Sequence, residues 1–272
     1  HADCEGYARA EGWSAGGAGA IPSIPAPARK RSADLDRILA RALRSDPSAE
    51  REIVRLLAAR ADEVAAVCDA ADALRGETSG DIVRYVVNRN INYTNVCHYG
   101  CRFCAFSKGR HSSGINELRG APYDLAHEEI ARRVEEAWAR GATEVCMQGG
   151  IHPDYTGETY LSILRTVKKA APDMHVHAFS PLEVTHGAAT LGLPVETFLG
   201  RLRDAGLGTL PGTAAEILDD EVRKIICPDK IRTGEWLGVM RAAHRAGLRS
   251  TATILFGHVE TPSHLARHLL RI

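Results

Sequence analysis

A chain of 272 residues is long enough to bury a sizeable core, and its 34 Lys and Arg balance 34 Asp and Glu, so no net field draws it toward nucleic acid or an anionic membrane surface. Its apolar runs, such as residues 53–59 interrupted by Arg55, fall far short of the roughly 20 residues a membrane span needs. Seven cysteines, three of them within eight residues, are too few and too uneven for a disulfide scaffold and point to metal instead.

The sequence begins at His1, with neither an initiator Met nor the basic-then-apolar order of a secretion signal, which predicts a cytoplasmic protein with a cut amino end. Residues 1–33 combine Gly16, Gly17, Gly19, Pro22, Pro25 and Pro27 with alanine and serine, the composition of a disordered arm or linker. Residues 34–79 form a helical extension of two or three helices. Leu35, Ile38, Leu39 and Leu43, then Ile53, Leu56 and Leu57, then Val64 and Val67 recur at helical spacing, with a break at Asp46, Pro47 and Ser48.

From residue 80 to 272 short apolar strands alternate with amphipathic helices, the pattern of a mostly parallel sheet with crossover helices. Strands are expected near 85–96, 143–148, 174–180, 207–210 and 249–256. Helices are expected near 126–140, 159–170, 194–205 and 233–246, three of them stopped by Gly141, Gly206 and Gly247, with a last one from Pro262. Spacing alone leaves open a doubly wound sheet or a closed barrel. Each strand is followed by an unusual polar or glycine-bearing stretch: 97–104, 148–150, 180–183, 211–213 and 257–260. Parallel strands bring those ends to one face, where barrel enzymes build their sites.

Cys97, Cys101 and Cys104 form a C-x3-C-x2-C loop after the first strand. Three thiolates can hold three irons of a cubane and leave the fourth iron open. A structural zinc site needs four protein ligands, and here the second cysteine pair is missing, so a zinc module would have to recruit His98 or His111. Cys4, Cys68, Cys146 and Cys227 are not expected to be ligands, and Cys146, inside the apolar strand, reads as a core residue.

This loop, with Phe103 before its last cysteine and a β/α series following it, resembles the radical S-adenosylmethionine (SAM) superfamily. The segments at 85–95, 145–150, 174–181 and 211–223 are similar to the FO synthase family, which makes the deazaflavin core of coenzyme F420, and specifically to its half that joins tyrosine to a ribityl uracil. The resemblance runs from about residue 80 to 268. It implies a radical SAM-type partial (β/α) TIM-like barrel, truncated after the fifth strand, with a four-iron four-sulfur cluster whose open iron chelates SAM. It further implies transfer of the 4-hydroxybenzyl group of L-tyrosine to 5-amino-6-(D-ribitylamino)uracil, an electron donor, and a fused or separate ring-closing FO synthase half. A sister radical SAM enzyme of the futalosine menaquinone route is the rival within this class; a zinc-stabilised binding module and a simple iron-sulfur electron carrier are the rivals outside it.

The resemblance assigns the metal to Cys97, Cys101 and Cys104 and the cofactor contacts to Gln148, Gly149, Gly150, Ser180, Glu183 and Glu216. Where many relatives carry a Gly-Gly-Glu segment, Ile151 follows the glycines here, so only a backbone role carries over. Strand alternation places His175, His177 and Phe179 on one face, possible lumen, and His177, Glu183 and His258 are the candidates for catalysis. Locally, Thr213 and Glu216 read as a helix N-cap and its capping-box partner. Asp219, Asp220 and Glu221 read as a solvated helix start.

Overall fold

A computed structural model describes residues 32–104, 107 and 121–272. Most of the arm at 1–33, and with it Cys4, lies outside the described residues, as does His111. The chain forms two compact units, one ending at Asp81 and the other running Ile82–Ile272.

The first unit is three helices. In α1 (Ala33–Leu43) the Ser32 hydroxyl accepts from the Leu35 N–H at 3.3 Å, and Asp34 and Asp36 face the positive helix end. In α2 (Glu50–Leu57) the Glu52 carboxylate closes the start by accepting from the Ala49 N–H at 2.9 Å and pairs with Arg41 at 2.5 Å. The longer α3 (Asp62–Ser79) presents Ala66 and Ala70 to Leu35 and Leu39, small residues that let the helices approach closely.

The second unit alternates strand and helix: β1 (Asn88–Asn92), α4 (His127–Ala139), β2 (Glu144–Gln148), α5 (Gly157–Ala170), β3 (His175–Ala178), α6 (Pro181–Thr190), α7 (Val195–Asp204), β4 (Thr209–Leu210), α8 (Asp220–Ile226), α9 (Thr233–Arg245), β5 (Arg249–Ser250) and α10 (Pro262–Arg271). All strand pairs are parallel, and the spatial order β1-β2-β3-β4-β5 follows the chain. A doubly wound sheet must reverse its strand order to place helices on both faces. Here the order never reverses, so crossovers of the usual right hand return every helix to the same face, as in a barrel wall.

The two faces divide accordingly. Ile91, Val145, Met147, Val176, Ala178 and Leu210 are fully buried under the helices. Asn92, Glu144, Cys146, Gln148, His175, His177 and Thr209 are half-buried on the other face. Register lines up Asn90, Cys146, His177 and Thr209 in one row across four strands. Cys146 is therefore not the core residue expected from its apolar neighbours; it belongs to the polar inner face, with the Gln148 amide 3.8 Å from its sulfur.

Several boundaries differ from expectation. The first strand is confined to five residues because the chain beyond Asn92 turns away, Thr94 bridging antiparallel to Asp124. The fifth pairs only at Arg249 and Ser250. Helix α6 was not expected, and residues 213–216, read as a helix start, are irregular; α8 begins at Asp220, where the acidic run was read as a helix start.

Its N-cap is Asp219, which is buried rather than solvated. One Asp219 oxygen accepts from the Glu221 N–H at 3.1 Å, the other from Arg267 at 2.7 Å and Arg271 at 3.3 Å on α10. Burial works to raise this carboxyl, but the bonds from Arg267 and the Glu221 N–H outweigh it and hold it below the usual range. The unfolded chain therefore takes up the proton first on acidification, so this contribution is complete above about pH 4 and is lost as pH falls through the folded value. Asp219→Asn should cost about 1–3 kcal/mol in urea unfolding at neutral pH, a gap that narrows in more acid buffer; a pH-independent gap would contradict it.

Candidate active site

The strand ends converge on a cavity of about 380 Å³. Its wall is built from Cys97, Tyr99, Cys101, Phe103 and Cys104 after β1; Gln148, Gly149, Gly150 and Ile151 after β2; Ser180, Leu182 and Glu183 after β3; Thr213, Ala214 and Glu216 after β4; and Thr253, Ile254 and Leu255 after β5. Five segments meet there, as expected, but the fifth is 253–255 and not 257–260.

The cysteine loop is pinned by main-chain bonds. Gly150 N–H donates to the Thr94 carbonyl at 2.9 Å and His98 N–H to the Ile151 carbonyl at 3.1 Å, which fixes the loop to the end of β2. Arg102 N–H donates to the Ile226 carbonyl at 2.9 Å and Gly100 N–H to an Asp229 carboxylate oxygen at 3.2 Å, which fixes it to the end of α8. These contacts explain Gly149 and Gly150. A Cβ on Gly150 would lie 2.2 Å from the Val96 carbonyl oxygen, and one on Gly149 would lie 2.3 Å from the Tyr93 ring, so any side chain there expels the loop or the ring.

Beneath the glycines sits Glu183, fully buried at the third position of α6. One oxygen accepts from the Gly149 N–H at 3.1 Å and from the Tyr93 hydroxyl; the other accepts from the Ser180 N–H at 2.7 Å and hydroxyl at 2.6 Å. Burial pushes its carboxyl up, against the hydrogen bonds from Ser180, Tyr93 and Gly149. Burial first, and then the neighbouring carboxylate, raises the Tyr93 phenol well above its ordinary value. Ser180 and Glu183 thus form the capping box that the sequence reading had placed at Thr213 and Glu216.

Glu216 instead pairs with Lys230 at 2.6 Å in the cavity wall. Both Ala214 (φ 67°) and Glu216 (φ 44°) are left-handed, a costly conformation for residues with a Cβ. Arg223 holds that segment by donating to the carbonyls of Ala214 and Ala215, and reaches the Ile231 carbonyl as well. The Thr213 hydroxyl oxygen is buried in the wall without a partner among the described residues, an orphan that a ligand's polar group would satisfy.

His177 is outside the cavity lining, on the inner face of β3, with Nδ1 2.7 Å from the Thr209 hydroxyl; His175 Nε2 is 2.9 Å from the same hydroxyl. Burial first, with His175 adding to it, holds the His177 imidazole below its ordinary value despite the nearby Glu144. Phe179 does not share that face: it leaves the strand at φ 58° and is fully buried, edge-on to Tyr160 at 5.0 Å. His258 lies in the exposed 257–260 loop, outside the lining itself, paired with Glu260 at 2.9 Å and with Nε2 3.0 Å from the carbonyl oxygen of the lining residue Leu255. Lys230 and Tyr93 were missed, because nothing in their local sequence marks them.

The donor set fits an iron-sulfur cluster better than a single zinc ion. Zinc holding three thiolates at about 2.3 Å would place their sulfurs about 3.8 Å apart. Among the described residues, the one group of three potential ligand atoms within 4.8 Å of one another is Asp219, Glu221 and His264, so at least one pair of the three cysteine sulfurs is farther apart than that. Wider spacing suits thiolates on separate irons. Burial pushes the Cys101 thiol up to about 11, so it is protonated in the free chain and needs a bound cation to become a thiolate.

A one-faced parallel β/α wall with three thiols gathered over its strand ends defines a barrel-type enzyme whose chemistry is carried by a metal cofactor. The chain belongs to the radical SAM superfamily, whose family model matches residues 91–272, and membership implies a four-iron four-sulfur cluster and SAM. Over 231 residues, 84% of this chain, it is 48% identical to an FO synthase of Nocardia farcinica, of which it covers 26%. It is also 48% identical over 202 residues, 74% of this chain, to a 5-amino-6-(D-ribitylamino)uracil–L-tyrosine 4-hydroxyphenyl transferase of Archaeoglobus fulgidus, of which it covers 56%. The chain therefore spans about a quarter of the one relative and just over half of the other. In fold it matches HydG, a maturase of the FeFe-hydrogenase, with a TM-score of 0.65 at 18% identity over 89% of this chain and 51% of that one. Methylornithine synthase matches equally, at 0.65 and 18%, over 86% of this chain and 63% of its own. No described helix is long and apolar enough to cross a membrane.

The Glu183 arrangement makes a direct prediction. Glu183→Ala strands four donors and should destabilise the apo chain by about 3 kcal/mol or more in urea unfolding, while Glu183→Gln, which keeps one acceptor, should cost about 1–2. Equal, small effects for the two would contradict the arrangement.

Proposed function

We propose that this chain carries the tyrosine-joining step of FO synthase chemistry, transferring the 4-hydroxybenzyl group of L-tyrosine to 5-amino-6-(D-ribitylamino)uracil, and that the unit from Ile82 onward does it. The observation that carries this reading is the convergence of Cys97, Cys101 and Cys104 with four other strand-end segments on one cavity, in a chain nearly half identical to enzymes of that name.

Cys97, Cys101 and Cys104 would hold three irons of the cluster and leave one open to SAM. When bound, the cluster and SAM together supply a 5′-deoxyadenosyl radical on accepting an electron from an external donor. The protein's own part is to bind, orient and exclude. Gln148, the Thr213 hydroxyl and the Glu216–Lys230 pair give the wall polar groups for SAM. Gly149 and Gly150 keep the β2 end low enough for the loop to sit over it. Ile151, Leu182, Ile254 and Leu255 line the rest and restrict water, which protects a reactive intermediate.

The polar inner face is the proposed seat of the second substrate, whose hydroxyls and imide match its donors and acceptors. His177, held neutral by burial, is able to accept a proton there while the Thr209 hydroxyl fixes its ring. Glu183 is assigned a positioning role, since all its acceptor sites are engaged. No step is assigned to His258.

The test is anaerobic reconstitution with iron and sulfide, followed by incubation with SAM, dithionite, tyrosine and the ribityl uracil. The expected result is 5′-deoxyadenosine together with a tyrosine-derived adduct that requires both substrates. Turnover with a futalosine-type substrate instead would assign the chain to the sister route, and uptake of zinc without iron would overturn the reading. Alanine at any of the three cysteines should lower bound iron and sulfide and reduce 5′-deoxyadenosine to background, whereas Cys68→Ala should leave both unchanged.

A further inference from the structure

Lys230 sits where a buried ammonium needs a reason. Its Nζ is 2.6 Å from a Glu216 oxygen, and the two side chains are only 12% and 9% exposed. The same Nζ lies 5.4 Å from the centre of the Phe103 ring, the residue directly before Cys104. Both members of the pair line the cavity that the three cysteines line. Its backbone is set by the 226–229 segment that clasps the cysteine loop through the Ile226 carbonyl and the Asp229 carboxylate. A buried ion pair is weak as a stabiliser, because apolar side chains of similar volume often do as well. Its persistence beside a cluster-binding loop calls for an electrostatic account.

We propose that Lys230 presents a fixed positive charge to the cysteine loop and so raises the reduction potential of the cluster held there, with its partner Glu216 opposing it. The inference rests on the reading that Cys97, Cys101 and Cys104 bind that cluster. Reduction takes one electron from an external one-electron donor, with no proton, and adds one negative charge at the cavity wall. A cation within a few ångströms of the loop, in a medium of low dielectric, favours the more negative state. The orientation of the pair sets the sign: the ammonium is the member stacked on the loop's own Phe103. Lys230 is held as an ammonium by its ion pair with the Glu216 carboxylate at 2.6 Å. Arg223, also buried, is occupied by the carbonyls of Ala214, Ala215 and Ile231 and does not replace it.

The experiment is a mediated redox titration of the reconstituted protein without SAM, reading the reduced cluster by electron paramagnetic resonance. Lys230→Met should shift the reduction equilibrium at least tenfold toward the oxidised form, about 59 mV for one electron. Glu216→Gln, which leaves the ammonium unopposed, should shift it the other way, and Lys230→Arg should stay near the parent. A structural role alone does not produce shifts of opposite sign. Lys230→Met with full iron content and an unchanged midpoint overturns the proposal, as does a Glu216→Gln midpoint that is unmoved or falls, even if Lys230→Met fails to take up iron. Failure of the unsubstituted chain to bind iron overturns the cluster reading itself, an outcome distinguishable by iron analysis before any titration.

Discussion

A single carboxylate, Glu183, joins the ends of three strands at the point where the cofactor loop must rest. Its two oxygens receive hydrogen bonds from Tyr93 after β1, Gly149 after β2 and Ser180 after β3. Burying that group without partners would cost several kcal/mol; with four donors it instead locks the local geometry. The consequences run outward from it. Tyr93 is held against Gly149, Gly150 is free to pass under Val96, and the loop from Cys97 onward starts from a fixed point. Phe179 tolerates a left-handed conformation in the core because the segment is fixed on both sides, by the strand and by the capping box that begins α6.

The far side of the loop depends on a second device. Arg223 gathers the carbonyls of Ala214, Ala215 and Ile231, which draws the irregular chain after β4 and the turn after α8 together. That turn supplies the clasp on Gly100 and Arg102 and the ammonium beside Phe103. The cysteine loop is thus held at both ends by parts of the chain that are distant in sequence. Sequential parallel strands make this possible, since they bring every strand end to one rim and send every helix to the outside.

What was legible in the sequence follows the range of the physics. Cys97, Cys101 and Cys104 could be read because their ligand spacing is local, and β2, α4, α5, α7 and α9 because their periodicity is local. Strand alternation correctly set His175 and His177 on one face, but failed at Phe179, where the chain leaves the strand. The capping-box pattern occurs at both Ser180 and Thr213, and only packing decides between them; the buried junction at Glu183 wins, while Arg223 holds the Thr213 segment out of a helix. Cys146 was misread because apolar neighbours say nothing about which face a strand residue takes. Lys230 and Tyr93 owe their roles to contacts across 14 and 90 residues, beyond any local pattern.

The claim on which the account stands is that the loop fixed by Glu183 carries a cluster with one iron left open for SAM. Electron-nuclear double resonance on the reduced, reconstituted protein, with SAM labelled isotopically at its amino nitrogen, addresses that directly. The account predicts a strong hyperfine coupling from the labelled nitrogen to the cluster, absent when any one of the three cysteines is replaced. A fully formed cluster that shows no coupling to bound SAM would contradict it.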